Sequence, residues 1–396
     1  MRIAVAMRIA AAMLLVSPLA IARPKPAKAA PEQWQMEMDG GRSLTWQRSF
    51  HSEAEVKPNR GFWNKVVDVI AGEPEFKFLV RPYSVTVDSR GRVIVTDPGA
   101  AGVHIFDFGQ KKYKFLERHG RGPLMRAPQC VAVDAQDNIY VTDSESGDIF
   151  VFEPGGKYLR TLGSLKGGEG YFKRPTGIAV DSAAQRIYVS DTLRDQVFIH
   201  DMQGNVLQTI GQTGADEGEF NFPTELRLQG NNLLVVDAMN FRVQVFDRAG
   251  NFQYAAGKIG DSAGAMFRPK AVGIDSEGDL YIADALWGVV QVFNRQGQLL
   301  YYFGSRGTHA GEFQLPAGLF IDHDDRVYVV DSYNRRVQVF QYVGLKKPVS
   351  QPGEKEVSQG TTVAHFGEKE VLPENSANHP SDKDQSPAPQ AREVSQ

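Results

Sequence analysis

Cationic side chains stand beside a proline that recurs along the chain. Arginine directly precedes this proline at Arg81, Arg174 and Arg268, Arg126 lies two residues before another copy, and Lys270 directly follows one copy. Guanidinium and ammonium groups gathered at one mouth would suit carboxylate, sulfate or phosphate groups. The alternative is that these arginines bridge structural units through carbonyl or aspartate oxygens. The pattern predicts anion binding, structural bridging, or both together.

The fourth copy of the pattern differs from the others two and four residues after its proline. It carries Glu225 and Arg227 where the other copies carry mostly small side chains. Residues two apart on a strand share one face, so this carboxylate and guanidinium are expected to lie side by side. A structural ion pair is the favoured interpretation, and contact with a bound ligand is the alternative.

Large apolar side chains occur in segments whose composition is typical of loops. The set is Leu193, Met239, Phe241, Leu286, Trp287 and Tyr333. Because loops are mostly polar, several such residues on one face predict an interaction surface. Phe241, Trp287 and Tyr333 are therefore expected to take part in binding.

Motifs for catalysis or metal binding are scarce in this sequence. The eight histidines form no cluster with metal-ligand spacing, Cys130 is the single cysteine, and neither GxSxG nor a phosphate loop occurs. We therefore expect no catalytic residue, no metal and no cofactor, and a chain better suited to binding than to catalysis. The alternative is an extracytoplasmic lyase or hydrolase with its site at the channel mouth around Glu225 and Arg227.

The positions above belong to a unit that occurs six times. Prolines recur every 46 to 48 residues, at Pro82, Pro128, Pro175, Pro223, Pro269 and Pro316. An aspartate ends the second apolar run of each unit, at Asp97, Asp143, Asp191, Asp237, Asp284 and Asp331. Each of the first five units holds four short β-rich runs separated by turns, and the sixth holds three. The sequence therefore predicts an all-β protein, a six-bladed β-propeller with four-stranded blades.

The repeats resemble those of the NHL family. Copies four and six show this best, as VVDAMNFRVQVFDRAG at 235–250 and as VVDSYNRRVQVFQ ending at Gln341. The resemblance covers Arg81 to Tyr342 and implies NHL-type blades, in a family that includes binding modules, RNA readers and a lyase. That lyase holds zinc with histidines directly after the repeat proline, where this chain has Tyr83, Gln129, Thr176, Thr224, Lys270 and Ala317. The Asn-x-Arg element and the repeat aspartates are expected to be framework.

The two ends of the chain differ in composition from the repeats. Residues 1–30 combine a basic start with an apolar run from Ile9 to Ala22, interrupted by Pro18, which is typical of a signal peptide. An uncleaved N-terminal anchor is the alternative. Residues 345–396 are rich in Pro, Ser, Gln, Glu and Lys and predict a disordered polar tail. We expect a periplasmic or secreted protein without a membrane span after cleavage.

Residues 31–75 form an arm before the propeller, which is predicted over 76–344. SLTWQRSF at 43–50 resembles the fourth strands of the repeats, and the sixth unit lacks its own fourth strand. We therefore expect residues 43–50 to close the last blade and remove an open edge. Apolar residues at helical spacing predict a short helix over 61–71.

Charge and export together limit the class of partner. The formal net charge is −3, which does not favour nucleic acid. The expected function is an exported, monomeric binding or scaffold module. It would present its Arg- and aromatic-lined face to a protein, a peptide or an anionic saccharide of the cell envelope.

Overall fold

The computed structural model of this chain describes residues 34–56, 76–117, 125–163, 171–260 and 262–344. The predicted signal peptide (1–30), the predicted helix (61–71) and the predicted tail (345–396) lie outside the described residues. Contacts divide the chain into residues 1–346 and residues 347–396, and only the first unit contains described residues. No helix among the described residues has the length and apolar character that crossing a membrane requires.

The described part of the chain starts with a hairpin that precedes the repeats. It consists of β1 (Gln35–Met38), a 3-10 turn (Asp39–Gly41) and β2 (Arg42–Phe50). A second 3-10 turn (Glu53–Glu55) follows.

Blades 1 to 3 are four-stranded antiparallel sheets whose strands follow one another in the chain. Blade 1 contains β3 (Ser84–Val87), β4 (Val93–Asp97), β5 (Gly102–Asp107) and β6 (Lys112–Leu116). Blade 2 contains β7 (Pro128–Val133), β8 (Ile139–Asp143), β9 (Asp148–Phe152) and β10 (Tyr158–Leu162). Blade 3 contains β11 (Pro175–Asp181), β12 (Arg186–Asp191), β13 (Gln196–Asp201) and β14 (Val206–Ile210).

Blades 4 and 5 continue the same pattern, with a 3-10 turn inside blade 4 and a short strand pair after it, whereas blade 6 has three consecutive strands of its own. Blade 4 contains β15 (Pro223–Gln229), β16 (Asn232–Asp237), a 3-10 turn (Ala238–Asn240), β17 (Arg242–Asp247) and β18 (Phe252–Ala256). A short parallel pair follows, β19 (Lys258–Ile259) and β20 (Ala265–Met266). Blade 5 contains β21 (Pro269–Ile274), β22 (Leu280–Asp284), β23 (Val289–Phe293) and β24 (Leu299–Phe303). Blade 6 contains β25 (Pro316–Ile321), β26 (Arg326–Asp331) and β27 (Arg336–Val343).

The N-terminal hairpin completes blade 6, which confirms the predicted closing strand. β2 pairs antiparallel with β27 from Ser43 opposite Val343 to Phe50 opposite Val337, and β1 adds a fifth strand outside β2. Leu44 and Phe50 on β2 are fully buried. The pairing removes the exposed edge that β27 would otherwise present. The outer strand β1 is not among the predicted elements.

The first strands of the blades form the inner wall of the ring. Each contacts the first strand of the next blade, and β25 contacts β3, so the ring is closed. The first strands of neighbouring blades approach each other closely. A Cβ atom added to Gly177 would collide with the carbonyl oxygen of Thr224, and a Cβ atom added to Gly318 would lie 2.5 Å from the carbonyl oxygen of Tyr83. This crowding explains why most copies carry a small residue two places after the proline.

The apolar core lies between blades. Among the described residues, the buried side chains form six clusters, and each cluster joins two neighbouring blades. Second strands such as β4 and β8 are buried on both faces, so they are apolar almost throughout. The outer strand β6 alternates between exposed and less exposed residues because only one face is covered. Full burial of one large aliphatic side chain is worth about 1.5–3 kcal/mol.

The repeat aspartates hold the segment that leads into each blade. All six are fully buried. Asp97 accepts hydrogen bonds from the backbone N–H groups of Val80 (2.6 Å) and Arg81 (2.9 Å), and Asp284 accepts them from Phe267 (2.7 Å) and Arg268 (3.1 Å). These contacts fix the one or two residues before the proline, in agreement with the framework role predicted for the aspartates.

The Asn-x-Arg element reinforces this contact in copies four and six. Asn334 and Arg336 both donate to Asp331 at 2.8 Å, and Asn240 and Arg242 both donate to Asp237 at 2.9 Å. These side chains are therefore occupied by the framework.

Candidate functional site

A cavity of about 600 Å³ opens between blades 1, 5 and 6 on the face that carries the loops between second and third strands. We call it the mouth cavity. Four of its described lining residues are cationic and none is acidic. The side chains that give it its chemical character are Arg81, Tyr83, Arg268, Lys270, Tyr333 and Arg335. The cavity is therefore electrostatically suited to an anion.

The cations of the mouth cavity are positioned by backbone contacts. Arg81 and Arg268 each precede a repeat proline, and their N–H groups donate to Asp97 and Asp284 respectively. Within the described part of the chain, neither arginine forms an ion pair with a carboxylate, and the same holds for Lys270 and Arg335. Their charges therefore remain available to a ligand.

Lys270 is the most enclosed of these cations. Its ammonium nitrogen lies 5.8 Å from the centre of the Tyr83 ring. Burial lowers the pKa of Lys270 to about 8, and the nearby charges of Arg268, Arg174 and Arg81 act in the same direction. A bound anion would oppose both effects and favour the charged ammonium.

Glu225 and Arg227 lie on β15, inside the ring. The Glu225 carboxylate lies 2.5 Å from Arg227 Nη2, which is the predicted ion pair. The two hydrogens of Arg227 Nη2 are directed at backbone carbonyls, so Arg227 offers the Glu225 carboxylate mainly its charge. Burial raises the pKa of Glu225 to about 7, whereas Arg227 acts to lower it. Neither residue of the pair is among the described residues that line the mouth cavity.

Arg227 also connects blades that are far apart in the ring. Its Nη2 donates to the carbonyl oxygens of Val85 (2.9 Å) on blade 1 and Leu319 (3.1 Å) on blade 6. Its guanidinium carbon lies 5.4 Å from the centre of the Phe320 ring. Phe320 occupies the same repeat position in copy six, so the two large exceptions at this position contact each other. Arg227 is thus occupied by structural contacts.

The other two predicted cations, Arg126 and Arg174, are not among the described residues that line the mouth cavity, although Arg174 is near enough to affect the pKa of Lys270. Arg126 is exposed and lies 3.8 Å from Glu145, a distance typical of a weak surface ion pair. Arg174 is exposed, with its guanidinium carbon 5.7 Å from the centre of the Phe222 ring. Three of the five predicted cations, Arg81, Arg268 and Lys270, therefore line the mouth cavity.

Only one of the three predicted aromatic residues lines the mouth cavity. Tyr333 is 71% exposed and lines the mouth cavity. Trp287 is exposed but lies outside the cavity lining. Phe241 is half-buried and packs against the core cluster between blades 4 and 5, which accounts for its size without a ligand.

Of the six side chains that give the mouth cavity its chemical character, Tyr83 and Arg335 are not among the predicted site residues. Arg335 is the middle residue of the Asn-x-Arg element, at the repeat position that holds Phe241 in copy four, and both have left-handed backbone (φ 55° and 57°). The middle residue of the element differs between copies four and six, whereas the flanking Asn and Arg are the same in both. A variable residue between two framework residues is a signal that could have identified Arg335. Tyr83 directly follows a repeat proline and points to the same cavity, but its aromatic type alone did not distinguish it.

Among the residues that the structure describes, no three His, Cys, Asp or Glu side chains come together in a way that could hold a metal ion.

Comparison with known families supports the fold. The NHL repeat model matches residues 125–152 and 313–340, and a family model described as a 6-bladed beta-propeller matches residues 179–239. These matches lie in the second, third, fourth and sixth units. No curated protein matches the chain by sequence.

Solved structures with a similar fold share little sequence with this chain. An auxiliary nutrient binding protein from Bacteroides thetaiotaomicron is 14% identical (TM-score 0.51), over 66% of this chain and 69% of that one. A protein of unknown function from the same organism is 14% identical (TM-score 0.52), over 67% and 70%. Virginiamycin B lyase from Staphylococcus aureus is 13% identical (TM-score 0.48), over 66% and 95%. At these identities the likeness shows the fold alone.

Proposed function

Starting from a chain that carries NHL repeats in a six-bladed β-propeller, we propose that it binds an anionic saccharide in the mouth cavity. The observation that carries this proposal is the composition of the lining: four cations, no described carboxylate and two tyrosines. Guanidinium groups bind carboxylates and sulfates in paired geometry, and tyrosine offers a flat apolar face with a polar edge.

Size and accessibility support a small ligand or the end of a longer one. The cavity of about 600 Å³ lies within the range of pockets that bind small molecules, about 300–1,000 Å³. Export, predicted from residues 1–30, would bring the cavity into contact with polysaccharides of the cell envelope. A uronate, with one carboxylate on each sugar ring, is the ligand that we expect to fit best.

The first test is calorimetric titration with uronate oligosaccharides and with neutral oligosaccharides of equal length. We expect Arg268→Gln to weaken uronate binding by about tenfold or more, because one charge-assisted contact is lost. Arg126→Gln is the matched control, since Arg126 is an exposed arginine outside the cavity. Equal affinity for neutral and acidic saccharides, or unchanged binding by Arg268→Gln, would refute the proposal.

The alternative function, a lyase or hydrolase around Glu225 and Arg227, has one supporting observation. A carboxyl group with a pKa of about 7 could exchange a proton at neutral pH. Against it, Glu225 is only 2% exposed and does not line the mouth cavity. Cleavage of the uronate oligosaccharide by the protein, lost in Glu225→Gln, would favour this alternative over simple binding.

A further inference from the structure

A second, smaller cavity adjoins the mouth cavity along the boundary between blades 5 and 6. Its volume is about 330 Å³, and we call it the side cavity. Ala285, Leu315 and Tyr333 line both cavities, so the two share a wall. Leu286, Arg306 and Gln314 line the side cavity alone.

The shared wall is an apolar ridge held by backbone contacts. Leu315 is 44% exposed and Tyr333 is 71% exposed. The Tyr333 N–H donates to the carbonyl oxygen of Gln314 (3.1 Å), and the Gln314 N–H donates to Asp331 (2.7 Å). A ligand that crosses from one cavity to the other would pass over this leucine and tyrosine. Such a surface suits the apolar face of a sugar ring.

Arg306 gives the side cavity a cation of its own. Its Nε donates to the carbonyl oxygen of Leu286 at 3.0 Å, and its Nη2 donates to the same oxygen. A guanidinium has five N–H donors, so about three stay available once two are used. Arg306 is exposed and forms no ion pair with a carboxylate among the described residues. It is therefore oriented by the protein and free to meet an anion.

Resting on the proposed function, we propose that the two cavities are consecutive subsites for an anionic oligosaccharide. One acidic sugar occupies the mouth cavity and a neighbouring acidic sugar reaches Arg306 in the side cavity. The specificity is then for a chain of acidic sugars rather than for a single one. Linking two weak contacts in one ligand makes the second effectively intramolecular and raises the overall affinity.

The test compares a monouronate with a tetrauronate by calorimetry. The wild-type protein should bind the tetrauronate at least about tenfold more tightly than the monouronate. Arg306→Gln should remove most of this gain and leave monouronate affinity unchanged, whereas Arg268→Gln should weaken both ligands. Arg295→Gln is the matched control, because Arg295 is also an exposed arginine on blade 5 that donates to a carbonyl, that of Glu277.

The outcomes separate the two proposals. Equal affinity for the two uronates, or a length gain that Arg306→Gln leaves intact, overturns the second subsite. Monouronate binding that depends on Arg268 would then still support the mouth cavity. Absence of binding to either uronate overturns both proposals. Thermal unfolding of each variant checks that the ring is intact.

Discussion

At the scale of single residues, the ion pair inside the ring is the feature with the clearest energetic consequence. Glu225 is enclosed, Arg227 is the charged partner in contact with its carboxylate, and the hydrogens of Arg227 Nη2 are shared with two backbone carbonyls. Burial of a charged group is unfavourable unless its partners compensate fully. The charged form of Glu225 is therefore poorly stabilised, as its raised pKa indicates.

This arrangement predicts a pH-dependent contribution to stability. The pKa of Glu225 rises from an ordinary 4.5 to about 7 in the folded chain, where Arg227 faces it directly and Tyr83 and Cys130 lie near enough to interact electrostatically. The folded state thus holds this proton more tightly than the unfolded state. The contribution of this proton to the free energy of unfolding is fully present below about pH 4.5 and is lost as the pH rises through about 7.

The Glu225→Gln variant, whose side chain stays neutral at every pH, tests the direction of this pH dependence. The free energy of unfolding of the wild-type protein, relative to the variant, should fall between about pH 5 and pH 8. Chemical denaturation at several pH values measures it, and Glu145→Gln on the surface controls for the substitution itself. A constant difference across that range would contradict the prediction.

At the scale of elements, β2 is the strand whose loss should matter most. It supplies Leu44 to the cluster between blades 5 and 6, and Phe50 to the cluster between blades 6 and 1. It also pairs with the backbone N–H and C=O groups along the outer edge of β27. One strand therefore supports the core on both sides of the last blade.

Leu44→Ala should lower the free energy of unfolding by about 2–5 kcal/mol, the usual cost of truncating a buried leucine. Gln47→Ala is the matched control on the same strand, because Gln47 is exposed at the irregularity in the β2–β27 register. Denaturant titration of both variants measures the difference. Equal stability of the two variants would mean that β2 does not carry the closure.

The elements of the fold were predictable because their signals are local and repeated. The position of residues 43–50 followed from their likeness to fourth strands and from the missing strand of copy six. β1 gave no such signal: QMEM is four residues long and pairs only with β2. Its Met36 and Met38 pack against the cluster between blades 5 and 6, a contact that only the assembled sheet supplies.

The candidate site was less predictable because it depends on contacts between distant copies. Arg81 and Arg268 are identified by their place before the proline, yet Arg174 occupies the same place and does not line the mouth cavity. Which cations meet is decided by which blades border the cavity, and one copy cannot reveal that. The contact between Arg227 and Phe320 also joins distant copies and so depends on the assembled ring. The sequence did give one signal for it, because these two residues are the only large ones at the position four residues after the repeat proline.

At the scale of the whole molecule, the ring should unfold as one unit. Every described core cluster joins two blades, so opening one blade exposes two clusters. Buried surface shared in this way makes a partly opened ring unfavourable.

We therefore expect a single calorimetric transition for residues 34–344, with equal calorimetric and van't Hoff enthalpies. Leu44→Ala should move this transition to lower temperature without splitting it. A separate early transition in that variant would show instead that blade 6 unfolds independently of the others.

The pairing of β2 with β27 also sets the order of events in biogenesis. During synthesis β2 leaves the ribosome before any blade, and its partner strand β27 emerges only after the first five blades. Until then Leu44, Trp46 and Phe50 have no sheet to join. The newborn chain must therefore keep an apolar, strand-forming segment from aggregating while the rest of the ring is made, which gives chaperones and proteases a defined window in which to act.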